Sequence, residues 1–140
     1  MSMNYYTAQK VIALKGKPYY TSKGNVHKAY PLYDEHGKCH GHAIYSINPE
    51  RDEGKPHLNI FANIMGIQTK IVNDYTCLQI KHFEGNYYYT KNSKYRAFSL
   101  YDKNGKYRGF VVYEYSLNGD EVKYITFMSK EKERYMTKGW

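Results

Sequence analysis

The stretch His36-Gly37-Lys38-Cys39-His40-Gly41-His42 crowds four side chains of metal-binding type into one short segment. Imidazole nitrogen and thiolate sulfur are the donors that zinc prefers. If this segment is a strand, His40 and His42 share one face and Cys39 points to the other, because side chains alternate along a strand. At most two or three ligands then converge, no carboxylate lies nearby on that strand face, and His27, His57 or His82 would have to be brought in from elsewhere for a zinc site. His36, His40 and His42 are therefore weak metal candidates. A surface histidine face is the preferred reading, and no cofactor is expected.

Rings and cations offer a second chemistry. Bases stack on aromatic side chains while phosphates meet Lys and Arg, and Lys28, Tyr30, Arg96, Phe98, Arg108 and Phe110 supply both kinds of group. Tyr88 and Tyr95 are further stacking rings on this reading. The chain carries 21 Lys and Arg against 13 Asp and Glu, a net charge of +8. Such a balance attracts nucleic acid or nucleotides through forces that salt weakens. The structural alternative is that these rings are core.

Catalytic constellations are not flagged. Cys39 and Cys77 could act as nucleophiles only with a histidine from elsewhere, and no local signature surrounds either. Asp34 and Asp102 read as turn formers, and the pairs Asp52-Glu53 and Asp120-Glu121 read as loop residues. No phosphate-binding glycine loop, dinucleotide fingerprint or His-Glu-x-x-His segment occurs. The expectation is a protein that is not an enzyme, with free thiols. No stretch approaches the roughly 18 apolar residues of a membrane span and no leader is visible, so a cytoplasmic location is expected.

These residues are positioned by a repeat. His27–Ser46 lies on Tyr95–Glu114 without a gap at a shift of 68 residues, setting Ala97 on Ala29 and Gly105 on Gly37. Upstream, with one residue more, Gly85 falls on Gly16. Repeats govern architecture and are sought first. Two homologous β units, 11–64 and 78–128, joined by 65–77 in one domain, are expected.

Within each unit, Asp34 to Lys38 and Asp102 to Lys106 match three-residue hairpin loops with Gly37 and Gly105 in the left-handed conformation. Carrying that register outwards pairs Tyr101 with Tyr107, Phe98 with Phe110, Ala97 with Val111 and Tyr95 with Tyr113. It puts Ala29, Tyr33, Gly41 and Tyr45, and likewise Ala97, Tyr101, Gly109 and Tyr113, on an inner face. Lys28, Tyr30, Arg96, Phe98, Arg108 and Phe110 fall on the other face. Small residues in these strands signal close approach by a neighbour.

Val11–Leu14 with Pro18–Thr21, and Leu78–His82 with Tyr87–Thr90, read as short hairpins; His57–Ile64 and Glu121–Met128 close the units. The fold class expected is mostly β: an internally duplicated antiparallel sheet of about ten strands, sandwich or barrel-like, with one short helix. Ser129 is a candidate helix cap for the tail.

The run Gly105-Lys-Tyr-Arg-Gly-Phe-Val-Val-Tyr113, with Asn118-Gly119-Asp120 following, resembles MORN repeats, as does Gly37-Lys-Cys-His-Gly-His-Ala-Ile-Tyr45. The resemblance implies short β-hairpins. Val111 and Ala43 replace the second motif glycine and the two segments lie far apart, so no function follows from it.

Three functions are compatible with these residues. The first is a non-catalytic, tyrosine-rich binding protein for nucleic acid or a nucleotide. The second is a protein-interaction module, such as a phage or plasmid accessory protein inhibiting a host or defence protein, since Tyr and Arg dominate such interfaces. The third is a metal-dependent protein using His36–His42.

Overall fold

The computed structural model describes residues 3–50, 54–63, 72–119 and 121–138. The fold is mostly β and antiparallel, with eight strands and three short helices among the described residues. None of these helices is long and apolar enough to cross a membrane. The chain divides into two compact units, one comprising Met1–Leu32 and Cys39–Gly66, the other Tyr33–Lys38 and Ile67–Trp140.

The first unit begins with a helix where a strand is predicted. Helix α1 spans Tyr5–Ala13, followed by β1 (Tyr19–Tyr20), β2 (Val26–Tyr33), β3 (Cys39–Ile47) and β4 (His57–Asn63). Val11 therefore lies on a helix and not in a hairpin. The Asn4 carboxamide accepts a bond from the Thr7 amide at 2.8 Å, capping the helix, and Ala8 and Val11, one turn apart, are its buried residues. Such a cap satisfies an amide that otherwise has no partner and stabilises a helix by about 1 kcal/mol. These two side chains pack on Ala29, Ile44 and Ala62.

The second unit repeats this order. Helix α2 (Asp74–Lys81) is followed by β5 (Tyr88–Tyr89), β6 (Ser93–Tyr101), β7 (Tyr107–Ser116), β8 (Val122–Ser129) and α3 (Lys130–Thr137). Asn73 caps α2 through the Thr76 amide at 2.8 Å, so Leu78–Lys81 is helical where a strand is predicted. Cys77, Leu78 and Ile80 pack on Tyr95, Ala97, Phe110, Val112 and Met128. The Ser129 cap holds, its hydroxyl accepting from the Lys132 amide at 3.2 Å. Both helices leave through residues with left-handed backbone, Lys15 and Gly16 in one unit, Glu84 and Gly85 in the other.

The hairpin loops form as expected. Gly37 and Gly105 have φ of 85° and 80°. The Asp102 carboxylate accepts from the amides of Asn104 and Lys106 at 2.9 and 3.0 Å, and Asp34 does the same for His36 and Lys38. A second oxygen of Asp102 accepts from Arg108 Nε at 2.9 Å. Burial alone would raise the Asp102 carboxyl, but the Lys106 and Asn104 amides and the Arg108 guanidinium outweigh it and hold its pKa below the ordinary value. A carboxyl depressed by folding contributes stability that is present above its unfolded pKa, roughly 3.9, and is lost as pH falls through the folded value. Asp102→Asn, which can still form the turn, should unfold with a shallower loss of stability below about pH 4 in urea titrations at a series of pH values. An unchanged acid limb would show that the carboxylate adds nothing.

The ladder departs from the expected register by one residue. Tyr101 pairs with Tyr107 as predicted, but the next pair is Leu100 with Gly109, then Phe98 with Val111, Ala97 with Val112 and Arg96 with Tyr113. Arg108 is the extra residue, a β-bulge. A one-residue slip exchanges the faces of everything beyond it. Phe110 and Val112 therefore join Ala97 under α2, and Tyr113 lies across from Arg96. In the first unit Ile44 joins Ala29 under α1, and Tyr45 meets Tyr30 with ring centroids 6.0 Å apart. The expected inner placement of Tyr45 and Tyr113 with the alanines is thus corrected in both units.

Gly41 and Gly109 serve the close approach expected of them. A methyl group on Gly109 would lie 2.2 Å from the Met128 carbonyl oxygen, and one on Gly41 would lie 2.4 Å from that of Ala62.

Candidate functional site

Strand β6 alternates across the sheet, with Tyr95 and Ala97 turned to the α2 core and Lys94, Arg96 and Phe98 on the other face. On that face Arg96 is held between two rings, its guanidinium carbon 5.0 Å from the centroids of both Tyr87 and Phe98. Its Nε donates to the Gly85 carbonyl at 2.7 Å, which uses one of five donors. Lys94 Nζ stands 4.5 Å from the Tyr87 centroid. Tyr115 meets Tyr87 edge-on at 5.4 Å, Tyr89 lies 6.1 Å from it, and Phe98 lies 5.7 Å from Tyr113. Two cations and several rings thus interleave on one strand face, Tyr89 being the most open at 65% exposure.

Arg96 and Phe98 also line a cleft of about 290 Å³, with Ser99, Tyr101, Lys81 and Glu84. The Asp34–His36 loop, which belongs to the second unit, completes its wall. That volume lies at the small end of ligand pockets. The wall is stiffened by a network that sequence reasoning missed. Lys81 Nζ bonds both the Tyr107 hydroxyl and the Glu133 carboxylate, and Tyr107 donates to the other Glu133 oxygen at 2.5 Å. Burial first, then Glu133, pushes the Tyr107 phenol up, so it stays protonated. The network joins α2, β7 and α3. No local signal could reveal it, because its members are far apart in the chain.

The remaining predicted residues are distributed as follows. Phe110 is fully buried in the α2 core, Tyr95 is 6% exposed, and Tyr88 packs against the same core; rings so placed are closed to a base. Arg108 is engaged by Asp102 at the bulge. Lys28, half-buried, and Tyr30, exposed, belong to the first unit. Arg96 and Phe98 are the predicted pair that the structure brings together. Lys94, Tyr87 and Tyr89 join them; the β6 alternation Lys94-Arg96-Phe98 carries the signal for Lys94, whereas the two tyrosines lie outside β6.

The histidines do not form the surface face expected of them. His36 is exposed in the turn, 3.4 Å from the Glu35 carboxylate, His40 is buried, and burial lowers the pKa of half-buried His42. Among the described residues no group of three His, Cys, Asp or Glu could hold a metal ion. Both thiols are free, and burial first, then Asp74, raises Cys77 to about 12. Cys77 sits on a helix and not in a strand. In the first unit His27 Nδ1 meets the Ser46 hydroxyl at 2.5 Å, and Asn59 donates to that hydroxyl at 3.0 Å. This has the form of a nucleophile and base, but Ser46 is 3% exposed and His27 is 8% exposed. The bonds satisfy buried polar groups, which would otherwise cost about 1–3 kcal/mol each.

Compared with known proteins, the chain matches no family model, no curated protein and no solved structure. The likeness to MORN hairpins therefore stays a likeness of short segments.

Proposed function

We propose that this protein is a non-catalytic binder of nucleic acid or nucleotides, and that the contact is the face formed by Lys94, Arg96, Phe98, Tyr87 and Tyr89. The observation that carries this is Arg96 held between two rings beside Lys94. A guanidinium so placed keeps its donors aimed while the rings around it supply stacking area. The net charge of +8 supports the same partner by long-range attraction.

The test is binding to DNA, RNA and mononucleotides at two salt concentrations. Arg96→Ala should weaken binding and reduce the slope of log affinity against log salt by about 0.7 on single strands or 0.9 on duplex, one phosphate contact. An unchanged slope would remove Arg96 from the interface. Absence of binding to every polyanion at low salt would move the function to a protein partner. That second reading has its own support in Tyr75 and Tyr135, which are 62% and 78% exposed and line a shallow groove with Met136 on α2 and α3.

A further inference from the structure

We infer that the ligand of this face is single-stranded nucleic acid, with one unstacked base seated on Phe98 in the cleft; this rests on the reading just proposed and narrows it to one substrate class. A cationic surface alone favours the duplex, whose phosphate charge is denser. Rings reverse that preference. In a duplex each base is covered on both faces by its neighbours, and a protein ring reaches a base face only after unstacking, which costs a few kcal/mol. A single strand offers the face at little cost.

Two rings suit such a strand, exposed Tyr89 and half-buried Phe98. Phe98, half-buried beside Arg96 and Tyr113, lines the cleft, and Tyr89 pairs with Lys94 at the far end of the same strand face. Lys94 and Phe98 are four residues apart, about 13 Å along a strand. That length takes a few nucleotides. Tyr87 is contacted by Lys94, Arg96 and the edge of Tyr115. It is a positioning residue that aims the two cations. The cleft itself carries carboxylates from Glu84 and the Asp34–His36 loop as well as Arg96 and Lys81. A row of phosphates would be repelled by those carboxylates, whereas a base edge presents both N–H donors and acceptors to them and to Arg96. The base is therefore the part that enters, and the phosphates pass outside, by Lys94 and Arg96.

The experiment measures binding of a short mixed-sequence DNA strand, its RNA counterpart and the corresponding DNA duplex at one low salt concentration. The single strands should bind about tenfold or more tighter than the duplex. A DNA–RNA difference assigns the natural strand. Phe98→Leu and Tyr89→Ala should each weaken single-strand binding about 5- to 150-fold, the loss of one stacked base, while duplex binding is little changed. Tyr89 is mostly exposed, so that variant folds even if Phe98→Leu does not. Duplex binding equal to or tighter than single-strand binding overturns this inference and leaves the broader reading standing. So does single-strand binding that survives both substitutions. No binding to any of the three probes overturns both.

Discussion

Gly109→Ala is expected to destabilise the second unit by about 3–4 kcal/mol, a large share of the 5–15 kcal/mol of a typical domain. Two penalties act together. Gly109 has a φ of 135°, a conformation that L side chains rarely adopt. Its added methyl would also sit 2.2 Å from the Met128 carbonyl oxygen and 2.9 Å from the Ser129 Cα. These are backbone atoms of β8, so relief means displacing a strand. Gly41→Ala should be nearly as costly, for the same contact with Ala62. Gly105→Ala supplies the comparison, since Gly105 has a φ of 80° with nothing within 4 Å, and should cost only about 1 kcal/mol. Urea midpoints at constant m-value measure all three. A Gly109 variant no worse than the Gly105 variant would show that β7 and β8 are not packed this closely.

Phe110→Ala is expected to cost about 3–5 kcal/mol of stability, the usual loss for a buried aromatic ring. Phe110 is fully buried among Cys77, Leu78, Ile80 and Met128, with Lys81 Nζ 5.0 Å from its centroid. The ring contributes nothing to an accessible surface. Phe98→Leu should do the reverse, weakening ligand binding with a small change in melting temperature, because Phe98 is half-buried and lies on the other face. Measuring melting temperature and affinity together for both variants separates the two roles. Phe110→Leu, the milder change, keeps enough fold to be assayed and should bind as the parent does, corrected for the folded fraction. Loss of affinity in that variant with unaltered melting would restore the register in which Phe110 and Phe98 share a face.

That register shows where local reasoning runs out. The turns were legible because an Asp, a Gly and a Lys within five positions specify a loop through bonds confined to those positions, and the loops at Asp34 and Asp102 formed accordingly. Gly41 and Gly109 were legible as sites of close approach, since no other residue type suits such a contact. The bulge at Arg108 was not legible. Arg108 is an ordinary strand residue, and whether a ladder skips it depends on the Asp102 carboxylate, β8 and the α2 core together.

The helices were a different kind of miss. Asn4-Tyr-Tyr-Thr7 and Asn73-Asp-Tyr-Thr76 are equivalent caps in the sequence, but the short apolar runs after them fit a strand equally well. Burial of Ala8 with Val11, and of Cys77 with Ile80, decides for the helix by giving each an apolar face to pack. The candidate site divides along the same line. Arg96 and Phe98, two apart on one strand, could be placed together from alternation alone. The Asp34–His36 wall of the cleft, and the Lys81, Tyr107 and Glu133 network behind it, join residues distant in the chain. Sequence alone determined the turns, the charge and which residue types alternate on β6; tertiary structure decided which face each side chain occupies, because that depends on contacts made across strands and helices.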